Sequence, residues 1–311
     1  MTGGVAAATT RRLVVVTVLL VGLIATATTA AAAHRDEQIV LPGAMSAEGI
    51  AKGVGSTFYA GDLFSGDIYR GDLQHGTAEL FVDAPSGRMA VGMAVDVRHD
   101  LLFVAGGFDG TAHVYNTNTG ATVATYRFTD PPSVINDVAV TRKGAWFTDS
   151  LQAKLFFVPI SPTGGLGPHR TLQLSGPAAD ISGEFNNNGI QATPNGKTLI
   201  VAHSGQGALN TVDPTTGASA PIAGVSVPSV DGILLNGGQL FAVQGFLNQI
   251  AEVRLSPDLT SGTVEKVITS QLFQIPTTVA RFGDRLATVN AKFDTGFPPT
   301  ADQYEVIIVD R

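Results

Sequence analysis

Short apolar segments recur along the chain in groups of three, and each group begins at a polar or glycine residue. The first segments cover residues 48–51, 92–96, 136–140, 188–192, 231–235 and 277–280. The second segments follow a turn, at 58–60, 101–105, 145–148, 199–202, 240–243 and 286–289, and the third lie at 67–72, 112–115, 154–158, 208–213, 249–254 and 304–310. Short β-branched and aromatic runs bounded by Gly, Asn, Asp and Pro are typical of strands, and no stretch has a helical period.

The groups begin roughly 43 to 52 residues apart, which is a repeat spacing typical of β-propellers with one blade per repeat. The sequence therefore predicts an all-β, six-bladed β-propeller formed by a single domain of residues 34–311. The last group ends after its third strand. We expect residues 38–41 to supply the missing fourth strand of that blade, since a ring closed in this way has no free sheet edge.

Residues 1–33 have the order of a secretory signal peptide. Two arginines, Arg11 and Arg12, precede an apolar run from Leu13, and small residues at 31–33 stand where a signal peptidase cuts. An uncleaved membrane anchor is the alternative, because the run from Leu13 to Ala33 could just span a bilayer. No other segment could cross a membrane. We expect a protein that is secreted or located in the periplasm or cell envelope.

Composition excludes several classes of protein. The 311 residues are 44% hydrophobic, which is enough for a packed core and excludes general disorder. The absence of cysteine excludes a disulfide scaffold, a thiolate metal site and a cysteine nucleophile. A net charge of −7 argues against nucleic acid as a partner. A small-molecule substrate is the expected partner.

Candidate metal ligands lie at the starts of the first strands, which in a propeller line the central tunnel and converge at one mouth. That position holds an oxygen-bearing side chain in four of the six repeats: Glu48, Asn136, Asn188 and Asp231. Two carboxylates and two amides suit Ca²⁺, although another divalent cation is possible. Asn-Gly and Asp-Gly are also ordinary turn dipeptides, but their shared register in the repeat favours a site.

A candidate substrate rim comes from the loops that join second to third strands, since these loops return to the same mouth. Apolar side chains in these loops are Phe64, Phe108, Leu151, Phe246, Leu247, Phe293 and Phe297. Of the six histidines, only His203 ends a second strand and could face the mouth. An apolar rim over a polar floor is typical of a small-molecule pocket, and packing between blades is the alternative. Residues 291–303 form the longest of these loops and could act as a lid.

The motifs around the four polar residues resemble those of the senescence-marker-protein, gluconolactonase and luciferin-regenerating-enzyme family of six-bladed propellers. Paraoxonases, diisopropylfluorophosphatase and strictosidine synthase are more distant relatives. The resemblance covers the order of the blades along residues 34–311. Its specific motifs are Ala47-Glu48-Gly49, Ile135-Asn136-Asp137, Asn188-Gly189-Ile190 with Pro194-Asn195-Gly196, and Val230-Asp231-Gly232.

The resemblance implies a divalent cation, usually calcium, at the tunnel mouth. Glu48, Asn188 and Asp231 would be direct ligands, and Asn136 a ligand or a contact to metal-bound water and substrate. Asp231 would also be the catalytic base or nucleophile. The implied reaction is hydrolysis of a lactone or ester, in which the cation polarises the carbonyl and Asp231 activates or orients water.

One departure from the family bears on the substrate. Sugar-lactonase members carry Arg-Phe before the third-blade Asn, where this chain has Val134-Ile135. An apolar substrate is therefore favoured over a sugar lactone. The alternative function is an exported, non-catalytic propeller that binds a ligand or partner, with calcium in a structural role. Condensation chemistry like that of strictosidine synthase is disfavoured, because that enzyme lacks the metal-binding set.

Overall fold

The repeated strand groups each form an antiparallel sheet in the computed structural model, which describes residues 1–7 and 36–311. Blade 1 consists of β2 (Ile50–Lys52), β3 (Thr57–Gly61), β4 (Ile68–Asp72) and β5 (Thr77–Val82). Blade 2 consists of β6 (Met93–Asp96), β7 (Leu101–Ala105), β8 (Thr111–Asn116) and β9 (Thr122–Arg127). Blade 3 consists of β10 (Ile135–Val140), β11 (Gly144–Asp149), β12 (Lys154–Pro159) and β13 (Arg170–Gln173).

Blades 4 and 5 continue the same meander around the ring. They consist of β14 (Asn187–Ala192), β15 (Leu199–His203), β16 (Ala208–Val212) and β17 (Ser219–Pro221), and of β18 (Val230–Asn236), β19 (Gln239–Gln244), β20 (Gln249–Leu255) and β21 (Gly262–Thr269). Within residues 1–7 and 36–311 the helices are four 3-10 turns of three residues each. No helix in that part of the chain has the length and apolarity needed to cross a membrane.

The sixth blade is built from both ends of the described chain. It contains β22 (Pro276–Phe282), β23 (Arg285–Asn290) and β24 (Glu305–Asp310), and β1 (Glu37–Val40) pairs antiparallel with β24. Ile39 of β1 is 2% exposed and packs in the core between blades 6 and 1. The predicted six-bladed propeller and its closure by an N-terminal strand are confirmed.

The inner strands form the wall of the tunnel, and apolar layers fill the space between blades. Each first strand packs against the first strand of the next blade, in the order β2, β6, β10, β14, β18, β22 and back to β2. The apolar clusters each lie between two neighbouring blades. One example joins blades 2 and 3, where Phe103 and Phe147 meet edge to face. The predicted signal peptide, residues 1–33, lies outside the described residues except for residues 1–7.

Candidate functional site

A β-bulge places three of the four candidate ligands. The register between first and second strands shifts by one residue at Ile135/Val138, Asn187/Ile190 and Val230/Ile233. The extra residues begin at Asn136, Asn188 and Asp231, so each of these side chains is turned out of the regular strand alternation. Asn188-Gly189 therefore lies in a bulged strand, β14, and the alternative interpretation of this pair as a turn is wrong.

All four predicted ligands line one cavity at the mouth of the tunnel. Its volume is about 590 Å³, and Glu48, Asn136, Asn188 and Asp231 form its polar floor. Glu48, Asn136 and Asn188 are almost fully buried, between 5% and 7% exposed. The cavity walls are largely apolar and include Leu63, Met89, Val91, Phe108, Val134, Phe185, Phe246, Phe293 and Phe297. Among residues 1–7 and 36–311, no Lys, Arg or His lines the cavity.

The carboxylates of the floor hold protons more tightly than carboxylates in water. Burial raises the pKa of Glu48 well above its usual value, and the negative charges of Asp231 and Asp137 raise it further. Burial also raises the pKa of Asp231 to about 7, although the Asn188 amide opposes this shift. The pKa of Asp137, whose side chain faces the opposite end of the tunnel, is likewise raised by burial to about 7. The carboxyl groups of the floor therefore keep their protons up to about neutral pH unless a cation binds beside them, because an opposite charge favours the ionised form.

Two serines fix the orientation of the amide groups. Ser150 Oγ donates its proton to Asn187 O at 2.7 Å, so it can only accept from Asn136 Nδ2, at 3.0 Å. Ser204 Oγ donates to Val230 O and accepts from Asn188 Nδ2 at 3.1 Å in the same manner. Because both NH₂ groups are used in this way, the carbonyl oxygens of Asn136 and Asn188 remain available to the cavity.

The strand segment of Glu48 is held by the sixth blade. Thr277 Oγ1 and Thr278 Oγ1 both donate to Glu48 O, and Thr278 Oγ1 also accepts from Ile50 N at 2.8 Å. Thr277 has the bulge position that Asn136, Asn188 and Asp231 have in their blades, and it is fully buried. In the sixth blade the bulge therefore supports the backbone of a floor residue and does not itself line the cavity.

The residues of the floor fit a hard divalent cation. Glu48 Oε2 is buried and has no hydrogen-bond partner within residues 1–7 and 36–311, and such an orphaned carboxylate oxygen is costly unless something binds it. Within residues 1–7 and 36–311, no three His, Asp or Glu side chains lie close enough to share a metal ion. A cation here would therefore require the amide oxygens of Asn136 and Asn188 in addition to the two carboxylates.

The structure places half of the predicted rim at the cavity. Phe108, Phe246, Phe293 and Phe297 line it, and all four come from loops between second and third strands as expected. Phe64 lies behind this wall, with its ring 5.3 Å from that of Phe297, edge to face. Leu151, Leu247 and His203 are not among the lining residues.

His203 has a scaffolding position. It is 1% exposed, and its ring nitrogens contact Gln206 N at 3.2 Å and Asp180 O at 2.8 Å. Other second strands end in polar residues that also bind the loops of the mouth: Asp62, Asp149, Gln244 and Asn290. Residues at the ends of the second strands therefore bind the loops of the mouth, which explains why His203 does not line the cavity.

Several lining residues come from a second set of loops, which the sequence analysis did not assign to the mouth. Each fourth strand also runs toward this end, so the connections to the next blade contribute Met89, Glu184, Phe185 and Ser229. The strand order alone would have indicated this. Glu184 and Phe185 project from a turn held by Asn186, whose Oδ1 accepts from Gly183 N at 2.9 Å and whose Nδ2 donates to Ser150 O.

The fold and the cavity define the chain as a β-propeller with a polar-floored pocket at the tunnel mouth. No protein-family model matches the sequence, and no curated protein matches it significantly. Solved structures do match in fold. The allergen Mala s 1 of Malassezia sympodialis is 15% identical, with a TM-score of 0.66 over 89% of this chain and 97% of its own.

Two enzymes are among the other structural neighbours. The PQQ-bound aldose sugar dehydrogenase of Streptomyces coelicolor is 17% identical, with a TM-score of 0.60 over 88% of this chain and 98% of its own. Virginiamycin B lyase of Staphylococcus aureus is 10% identical, with a TM-score of 0.58 over 88% and 99%. Identities this low establish a shared β-propeller fold and leave the activity open.

Proposed function

We propose that this protein is an exported, calcium-dependent hydrolase of apolar esters or lactones, with its active site in the cavity at the tunnel mouth. The observation that carries the proposal is the floor. Four oxygen-bearing side chains from four blades converge there, and Glu48 Oε2 has no hydrogen-bond partner in the part of the chain that the structure describes. The aromatic wall above the floor supports an apolar substrate.

Glu48, Asp231, Asn136 and Asn188 would hold the cation. When bound, Ca²⁺ would supply Lewis acidity and stabilise negative charge on the substrate oxygen. Asp231 is the candidate general base. Its carboxyl group lies on the cavity floor, and none of the lining residues within 1–7 and 36–311 is a histidine that could compete for this role. Asn136 would also orient water or substrate through its free carbonyl oxygen.

The apolar character of the substrate is supported at the position where sugar lactonases carry Arg-Phe. Val134 lines the cavity, and Ile135 is fully buried in the core between blades 2 and 3. Neither side chain can donate a hydrogen bond to a polyhydroxyl substrate. The aldose sugar dehydrogenase and the lyase among the structural neighbours support the capacity of this fold to host enzymes.

The first test is metal content. We expect about one calcium per wild-type chain after dialysis against trace calcium. We expect none in the Glu48→Gln/Asp231→Asn double variant, and wild-type content in a control, Asp284→Asn, which removes an exposed charge elsewhere. No calcium in the wild-type protein would overturn the proposal.

The second test is turnover on a panel of aryl esters and aliphatic lactones. We expect hydrolysis that chelation abolishes, calcium restores and Asp231→Asn nearly eliminates. Calcium binding without turnover on any substrate would instead support the non-catalytic binding propeller. Export is tested separately by the N-terminus of protein recovered outside the cytoplasm, which we expect to be His34.

A further inference from the structure

The charges around the cavity have one sign. Three acidic residues, Glu48, Glu184 and Asp231, line it, and no Lys, Arg or His from the described part of the chain does. Lys292 is next to Phe293 in sequence, but its ammonium group binds Glu305 Oε2 at 2.9 Å and Gln303 O at 2.8 Å. A substrate that carries a carboxylate or phosphate would find no cationic side chain among the wall residues that the structure describes.

Glu184 is separate from the floor and is not needed for its chemistry. It is exposed at the rim and takes part in none of the ion pairs found within residues 1–7 and 36–311. The turn that carries it is fixed at both ends. Asn186 binds Gly183 within the turn and Ser150 O in blade 3, and Asn186 O accepts from Ser204 N in blade 4. The carboxylate therefore projects from an anchored position at the mouth.

The aromatic wall provides a second feature that favours cations. Phe108, Phe185, Phe246 and Phe297 are each between 38% and 69% exposed although they line the cavity. The cation–π pairs found within the described chain use rings other than these four. The face of a phenyl ring attracts an ammonium group, and a nearby carboxylate strengthens that attraction.

We propose that the cavity selects molecules in which an apolar body carries an amine, with Glu184 as the partner of the ammonium group and the phenylalanine rim around it. This inference rests on the proposed function for the location of the substrate, and it adds the charge class of that substrate. The ester or lactone carbonyl would point to the floor, and the amine would remain at the rim.

The test compares two probes of the same shape, phenylbutylamine and phenylbutanol, by titration calorimetry in saturating calcium. We expect the amine to bind roughly fivefold more tightly, in line with one ion pair and one cation–π contact at a partly exposed site. The preference should shrink as sodium chloride rises from about 20 to about 200 mM, because salt screens exposed charges.

Variants assign the preference to a residue. Glu184→Gln should reduce the preference to the part that the phenylalanine rings contribute and leave phenylbutanol binding unchanged. Asp284→Asn, which removes one exposed charge outside the cavity, should keep it. Equal binding of both probes to the wild-type protein would overturn the inference, as would an undiminished preference in Glu184→Gln.

The outcomes also separate this inference from the proposed function. A Glu184-dependent amine preference in a protein without calcium would uphold the charge class while the hydrolase proposal fails. Calcium binding with no amine preference would support the calcium site of the proposed function and overturn the inference about the charge class. Competition between calcium and the amine would place the ammonium group on Glu48 and Asp231, and would overturn the role given to Glu184.

Discussion

Ser150 and Ser204 determine what Asn136 and Asn188 offer to the cavity. Each serine has one hydroxyl proton, and each donates it to a backbone carbonyl, to Asn187 O and to Val230 O. Only an amide NH₂ can then bind the serine oxygen. The serines thus act on a bound cation through the asparagines, as positioning residues.

Removing these hydroxyls should weaken calcium binding more than it weakens the fold. We expect Ser150→Ala and Ser204→Ala each to lower calcium affinity by about 10- to 100-fold, the usual cost of losing an outer hydrogen bond to a ligand. Calorimetry and the unfolding midpoint of the metal-free protein measure the two effects. Ser56→Ala, which removes a hydroxyl bonded to Asp72 outside the cavity, is the matched control. Unchanged calcium affinity in both site variants would contradict the positioning role.

The raised carboxylate pKa values predict how the stability of the metal-free protein depends on pH. Folded Asp137 and Asp231 keep their protons up to about pH 7, whereas the unfolded chain releases them near 3.8. The folded state therefore binds more protons, so the free energy of unfolding falls as pH rises through about 7. Glu48 acts in the same direction. Burial lowers the pKa of His113 from 6.5 to about 4. Its contribution to the free energy of unfolding therefore rises with pH between these two values, and it opposes the trend only in that range.

We therefore expect the metal-free protein to have a higher unfolding midpoint at about pH 5.5 than at about pH 8. Thermal unfolding across this range measures the effect. Asp137→Asn should flatten the dependence because it removes one of the titrating groups. A midpoint that rises steadily with pH would show that the carboxylates are ionised in the folded state.

At the scale of the strands, close approach of the inner strands explains the glycines that follow the floor residues. A Cβ on Gly189 would lie 2.6 Å from Asp231 O and 2.7 Å from Ile233 N in the neighbouring first strand. A Cβ on Gly49 would lie 2.0 Å from Val91 O. The tunnel wall has room there for backbone only, so the glycines belong to the packing of the ring and not to turns.

Gly189→Ala should consequently destabilise the protein by about 3 kcal/mol, since backbone in two blades would have to separate. Urea unfolding measures this. Gly238→Ala is the matched control, because a Cβ there meets nothing within 4 Å. We expect its stability to remain close to that of the wild-type protein. Equal stability of the two variants would contradict the tight packing of β14 against β18.

The strands were predictable because alternating apolar runs and turn residues are local signals. The bulges were not, since the extra residue in β10, β14 and β18 appears only when the register with the partner strand is known. The floor could be found because its four members share one position in the repeat. Glu184 and Phe185 share no such position, and His203 follows a scaffolding pattern that is visible only in its hydrogen bonds.

At the scale of the whole molecule, stability depends on the closure of blade 6. Ile39 in β1 is buried between blades 6 and 1, whereas Gln38 in the same strand is exposed. Ile39→Asp should release β1 and uncover the edge of β24, and uncovered strand edges recruit other strands. We expect a lower unfolding midpoint and association that increases with concentration, measured by thermal unfolding and sedimentation. Gln38→Asp should show neither, and a monomeric Ile39→Asp protein of wild-type stability would contradict the closure.

The pairing of β1 with β24 also sets the order in which the molecule can be completed. A ribosome makes β1 before any other strand of the ring and makes its partner, β24, last of all. During that interval β1 has no sheet to join, and five complete blades can form before the sixth has all its strands. If the chain is exported from its N-terminus, the first strand to arrive must wait for the last, and the ring can close only when the whole chain has crossed.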